Sequence, residues 1–168
     1  MVLQGPPIHN LDVSIVTPRY QITGQLETVG RAFTYINNEK RNSFSLHDVS
    51  LAPLVGSGPL QSFSRPHVIL RRSEIALLYF VSAEVRASVQ TLRRRELLVA
   101  YTPVAVCRAH FHMADEANVN DFLEDIASVL LPITEVQVFP LNDLPAPFPT
   151  EPELLLIGRS YLEFYHPA

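Results

Sequence analysis

The chain has 168 residues, 47% of them hydrophobic and 18% charged, with a mean hydropathy of +0.12. That length suits one domain, and that much apolar surface excludes disorder over most of it. With 17 acidic and 13 basic residues, and Cys107 as its only cysteine, it is neither a globally basic nucleic-acid binder nor a disulfide scaffold.

The charge is unevenly spread. Residues 1–114 carry a net +5, and residues 115–168 carry a net −9, with Arg159 as their one base. Twelve of the 13 bases are arginine, the side chain better suited to bidentate pairing and interfaces. The start, Met1-Val-Leu-Gln-Gly-Pro-Pro, has no basic region followed by an apolar one, so no targeting peptide is expected. The longest apolar runs fall far below the roughly 20 residues of a membrane span. Cytoplasm is the expected compartment.

A long extended segment opens at Leu11 and bends at Thr17-Pro18, because proline removes a ladder donor. Ile22, Gly24 and Leu26 then alternate with Thr23, Gln25 and Glu27, the period of a half-buried strand. A short helix is predicted over 31–38, and a strand over 44–54. Apolar parity slips between Leu46 and Val49, the sequence sign of a β-bulge. After the loop 55–65, an extended segment over 68–80 is broken at Arg72-Ser73. Residues 81–95 read as a linker. Val81, Val85, Val89 and Leu92 predict an amphipathic helix there, ending in Arg93-Arg94-Arg95, where arginines complement a helix C-terminus.

The same plan then returns. A strand bends at Thr102-Pro103 and continues with Cys107, Ala109 and Phe111 inward and Arg108, His110 and His112 outward. Val119, Phe122, Leu123, Ile126, Val129 and Leu130 form one helical stripe, capped from 115–118 and stopped by Pro132. A strand over 131–141 slips parity between Ile133 and Val136. The loop 142–152 leads to a last extended segment over 154–166, broken at Arg159-Ser160. The offset between copies is 85 in the first strands and 87 afterwards, with identities at Thr17/Thr102, Pro18/Pro103, Val49/Val136, Pro53/Pro140, Leu54/Leu141, Arg72/Arg159 and Ser73/Ser160. The expectation is a β-rich α+β domain over 1–168. It consists of tandem β-α-β-β repeats, 11–80 and 96–166, around the linker 81–95. The repeats form one pseudo-twofold sheet or barrel-like domain with two helices.

Ile22-Thr-Gly-Gln-Leu26, Arg31, Ile36-Asn37 and Phe44-x-Leu46-x-Asp48-Val49 resemble an uncharacterised family of small bacterial domains. In that family a Gly-containing strand leads to an Arg-Leu-Ser-Asp-x-Leu-Asn helix and a Phe-x-Pro-Leu-Thr-Asp-Val strand. The first copy departs from the pattern at Phe33 and Thr34. The second matches at Asp121, Leu123, Leu131, Pro132, Ile133, Thr134 and Val136, with Glu135 for the Asp and neither the Gly nor the Asn. The resemblance implies no activity. Asn42, Asp48 and Arg71-Arg72 are also similar to the loop and late turn of an Sm-like RNA-binding barrel, although the helix here lies between strands rather than before them.

Chemistry-bearing residues are few. His110 and His112 could begin a metal site, with Asp115 or Glu116 adding a ligand, but no third ligand is fixed. Neither a metal nor a cofactor is expected. Cys107 lies on the inward face, opposite the histidines, and reads as a small hydrophobe rather than a nucleophile. Arg86 with Arg93, Arg94 and Arg95, and Arg65 with Arg71 and Arg72, form two basic patches without interleaved aromatics. The loops 55–65 and 142–152 are long for hairpins, and each carries a Leu and a Phe: Leu60 with Phe63 beside Arg65, and Leu144 with Phe148. Exposed aromatics on stiff loops are typical partner anchors.

The expected function is therefore a non-enzymatic interaction or assembly protein. It would contact a protein partner or its own copies through the two loops and an asymmetric charged surface. The alternatives are a nucleic-acid-binding module using the arginine patches, and a small-ligand or metal binder at Cys107, His110 and His112.

Overall fold

The computed structural model describes residues 4–55 and 58–168. Met1, Val2, Leu3, Gly56 and Ser57, which include the first residues of the expected leaderless start and two of the loop 55–65, lie outside the described residues.

Among the described residues ten strands form one antiparallel sheet in the order β10-β6-β7-β8-β9-β5-β1-β2-β3-β4. They are β1 (Ile8–Val16), β2 (Tyr20–Val29), β3 (Ser43–Pro53), β4 (Phe63–Arg71), β5 (Leu77–Phe80), β6 (Arg94–Tyr101), β7 (Ala105–Met113), β8 (Leu130–Pro140), β9 (Leu154–Gly158) and β10 (Phe164–Pro167). Three short helices interrupt them: α1 (Ala32–Ile36), α2 (Ala83–Ser88) and α3 (Phe122–Asp125). The fold is thus β-rich α+β. β1 to β5 form one five-strand unit, β6 to β10 form a second, and the two join where β9 pairs with β5.

The bends and bulges have local causes. At Thr17 the hydroxyl donates to the Tyr20 carbonyl at 3.2 Å and accepts from the Tyr20 N–H at 3.0 Å. Thr102 does the same with Ala105, at 2.8 and 3.0 Å. Each threonine thus closes a turn around a residue pair that contains the proline. The parity slips are bulges, as expected. The β2–β3 register shifts between Thr23 and Gln25, and Asp48 takes φ 50°. The β7–β8 register shifts between Arg108 and His110, and Glu135 takes φ 51°. Two residues face one at each site, and a non-glycine residue takes the left-handed conformation there. The breaks at Arg72 and Arg159 are 3-10 turns, Arg72–Glu74 and Arg159–Tyr161.

Two helices are shorter than their periodicity predicts. α3 spans four residues, not the stripe from Val119 to Leu130. The reason is competition for its backbone groups. Asn118 Oδ1 accepts from Asn120 N at 3.0 Å, forming a local turn. The Arg159 guanidinium donates to the Ile126 carbonyl. The Val129 and Leu130 N–H groups, which would close the last helical turn, both donate to Asn37 Oδ1 at 2.9 Å. α2 is capped by Ser82, whose hydroxyl accepts from Val85 N at 3.4 Å, but ends at Ser88. Val89 is buried while Val81 and Leu92 stay exposed. Arg94 and Arg95 therefore open β6 and do not cap a helix.

The seam between the units is the most deeply buried part of the sheet. Every residue of β9 is buried. Successive side chains on a strand point to opposite faces, and here each face meets a different core. Leu155 and Ile157 join the core of the second unit with Cys107, Phe111 and Val138, and Leu77 of β5 joins them there. Leu154 and Leu156 join the core of the first unit with Ile15, Leu26 and Phe44, together with Leu78 and Phe80. β5 and β9 thus read as continuous apolar runs because both faces are covered.

Polar clamps reinforce the seam. Asn37 Nδ2 donates to the Leu130 carbonyl at 3.1 Å while its Oδ1 takes the two N–H groups above. Gln21, 2% exposed, donates to the Ala146 carbonyl at 3.0 Å and accepts from Ala146 N at 2.9 Å. Gly158 N donates to the Ala76 carbonyl at 2.8 Å. A Cβ at Gly158 would stand 2.1 Å from the Ile75 carbonyl oxygen, so only glycine lets the strands approach this closely.

Asn37→Ala, which strips two partly buried N–H groups and a carbonyl of their partner, is expected to lower the unfolding free energy by about 1–3 kcal/mol. Gly158→Ala is expected to cost about as much or more through the clash. Urea titrations followed by circular dichroism check both. A midpoint unchanged from that of the unsubstituted chain in both variants would refute the role assigned to the seam.

Candidate functional site

The groups singled out by the sequence do not converge. Cys107 is fully buried between β6 and β8, and burial pushes its thiol up to about 12. A thiol held so firmly in its protonated form is a poor nucleophile. His110 and His112 are on the other face of β7, as alternation predicts. Their rings are tied to different partners. His110 Nδ1 lies 2.8 Å from Glu135 Oε2. His112 Nδ1 donates to the Leu92 carbonyl at 2.9 Å, so Nε2 accepts from the Thr134 hydroxyl at 2.7 Å. Among the described residues no group of three His, Cys, Asp or Glu side chains is arranged to hold a metal ion.

The arginine patches are largely spent on internal contacts. Arg72, 9% exposed, donates to the Ile36 and Asn38 carbonyls at 3.4 and 2.7 Å. Arg86 pairs with Glu153 at 2.6 Å and donates to the Phe80 and Val81 carbonyls at 2.8 and 2.7 Å. The guanidinium beside Glu153 holds that exposed carboxyl below its ordinary range, and a backbone hydrogen bond adds to this. Arg94 pairs with Glu96 at 3.0 Å and donates to the Ala117 carbonyl, and Arg95 reaches Glu135 at 3.5 Å. Arg93 is exposed. Arg65 stands over the Phe63 ring, 4.9 Å from its centroid.

The two loops, expected to be equivalent, are placed differently. Leu144 and Phe148 fold back onto the core of the second unit, and Phe148 meets Tyr79 edge-on with centroids 6.3 Å apart. The Gln21 clamp holds the same loop at Ala146. These anchors serve the seam. In the first loop Leu60 remains 48% exposed, and Phe63 opens β4. An open cleft of about 640 Å³ lies between β1, β2, α1 and α2, lined among others by His9, Asp12, Arg31 and Glu84. Its walls carry both signs of charge and select no ligand class.

What distinguishes the surface is the pair of open sheet edges, which residue-by-residue motif reading passes over. β4 ends the sheet on one side and β10 on the other. Each carries a large exposed apolar residue: Ile69, 57% exposed on β4, and Phe164, 58% exposed on β10 and stacked on Tyr101 at 4.4 Å. Arg65 and Arg71 accompany the first, and Glu163 the second. On β10, burial raises the Tyr165 phenol, and the charges of Asp121 and Glu124 raise it further. The apolar run Val68-Ile69-Leu70 was the available signal, 87 residues before the apolar run Leu155-Leu156-Ile157.

The chain matches no family model, no curated protein sequence and no solved structure.

Cys107 is expected to resist labelling by a thiol reagent in native buffer and to react fully in denaturant. Rapid native labelling would contradict its burial. The raised thiol contributes stability that is fully present below the unfolded-state pKa, about 8.5–9, and is lost as pH rises toward about 12. Thermal midpoints should therefore fall above pH 9, and Cys107→Ala should fall less steeply than the unsubstituted chain over that range.

Proposed function

We propose that the chain is a non-enzymatic assembly protein that acts through contacts with a protein partner or with its own copies. One observation carries the reading. The chain already contains a unit-to-unit contact of this kind, the β5–β9 seam, with two cores that share strands across it.

The reading takes the two units as copies of one ancestral domain. Paired backbone hydrogen bonds at the sequence offsets support it. Ala76 N donates to Val16 O at 2.9 Å, and Glu163 N to Tyr101 O at 2.9 Å. Leu54 N donates to Arg19 O at 2.9 Å, and Leu141 N to Val104 O at 3.0 Å. Arg72 N donates to Asn42 O at 2.9 Å, and Arg159 N to Val129 O at 2.8 Å. Both units also share one strand order, β5-β1-β2-β3-β4 and β10-β6-β7-β8-β9. The expected pseudo-twofold gives way to a head-to-tail relation in this reading. A twofold would pair like edges, whereas β5 and β9 hold different places in their units. The charge split favours contact between unlike ends over contact between like ends.

Sedimentation of the purified chain at low and high salt, together with gentle native purification, tests the proposal. Mass above the monomer that diminishes with salt, or a stoichiometric co-purifying protein, is expected. A strict monomer without a partner would end the proposal.

A further inference from the structure

We infer that the two open edges of the sheet are the two halves of a second seam, completed by another copy of this chain: β4 of one copy pairs antiparallel with β10 of the next. The inference rests on the assembly reading above and names its surface and its partner.

The inner seam supplies the register. Leu77 faces Ile157, and Leu78 faces Leu156. One repeat offset away, the same places hold Phe164 and Tyr165 on β10, and Leu70 and Ile69 on β4. The outer pairs are then Phe164 with Leu70, and Tyr165 with Ile69.

Side-chain direction singles out the same residues. Within the two inner pairs, Leu77 and Leu156 are the side chains that cross into the other unit's core; Leu154 of β9 crosses as well, and the residue one offset from it is the exposed, polar His67. The counterparts of Leu77 and Leu156 are Phe164 and Ile69, two of the large apolar residues left exposed. The remaining counterparts stay at home: Leu70 is buried in its own core, and Tyr165 packs on its own. The edges therefore expose the residues that a neighbouring core would take and cover the ones it would not. Isolated apolar surface residues are ordinary, but two at matched places on complementary edges point to each other.

Charge follows the same rule. Where the inner seam brings Gly158 against Ala76, the outer seam brings Arg71 against Glu163. An arginine cannot approach as closely as Gly158 does, and here it meets a carboxylate instead. Arg65 strengthens the basic end, while Asp121 and Glu124 near Tyr165 strengthen the acidic one. Pro66 and Pro167 each fall outside the pairs that the seam uses. Both fall at the same end of the pairing, beyond Tyr165 and Ile69, where they stop its extension and blunt the edges against unregistered β-addition. Because the two edges differ, the contact is head-to-tail. It closes into a ring or extends as a filament, according to the rotation per copy.

The test uses the full chain and two single-edge variants, Ile69→Lys and Phe164→Lys, in analytical ultracentrifugation. The unsubstituted chain is expected to associate with rising concentration, and less so at high salt. Each variant alone is expected to be monomeric, with association weakened at least tenfold. An equimolar mixture of the two is expected to give dimers and nothing larger, because each retains the edge that the other lacks. Circular dichroism checks that the variants fold. As a second route, Arg71→Glu and Glu163→Arg should each weaken association, and the double variant should restore it. Assembly unaffected by these changes, or a mixture that stays monomeric, overturns the inference while leaving the assembly reading standing. An unsubstituted chain that remains monomeric at submillimolar concentration also overturns it. A stoichiometric foreign partner in native purification would then preserve the assembly reading, and its absence would end both.

Discussion

Two short strands, β5 and β9, hold this molecule together by having no solvent face. Alternating side chains on each strand enter different cores, so neither core is complete without the other unit. This constraint explains local features that otherwise look unrelated. The Leu154-Leu-Leu-Ile157 run has no polar alternation because neither face needs any. Gly158 has no side chain because the Ile75 carbonyl occupies that space. Asn37 and Gln21, partly or fully buried, spend both ends of their amides across the seam, which makes them cheap to bury there and costly to remove.

The strand plan was legible in the sequence because it rests on period-two alternation and on turn chemistry. Thr17-Pro18, Thr102-Pro103, the parity slips around Asp48 and Glu135, and the breaks at Arg72 and Arg159 are all local signals with local causes. The helix that the stripe from Val119 to Leu130 predicts is cut to Phe122–Asp125 for the opposite reason. Its apolar spacing is real, but its last N–H groups are taken by Asn37, 92 and 93 residues away. Periodicity cannot register such a competitor. The arginine patches follow the same rule. Arg72 and Arg86 look like free charge in the sequence, and the carbonyls that claim them become neighbours only in the fold.

The candidate surfaces were half legible. Leu144 and Phe148 read as partner anchors, and they are anchors, but to the body of their own chain. A preorganised loop with apolar tips satisfies either reading until its surroundings are known. A single exposed apolar residue such as Ile69 or Phe164 carries little meaning in the sequence alone. The sheet order sets them apart, because it places β4 and β10 at its two opposite ends. The uneven charge, +5 over 1–114 and −9 over 115–168, has a geometric counterpart in those ends.

The shared seam also bears on how the chain acquires its structure during synthesis. β5 is translated long before β9, with the whole of β6 to β8 between them. Until residues 154–158 leave the ribosome, the first unit waits with Leu156 and Leu154 missing from its core and the β5 backbone unpaired on one side. Closing that contact carries a loop-entropy cost that local hairpins do not. Folding of the first unit should thus be held back until β9 is made, and then proceed for both units together. An incomplete chain would present an apolar strand edge, the surface that chaperones and neighbouring nascent chains compete for.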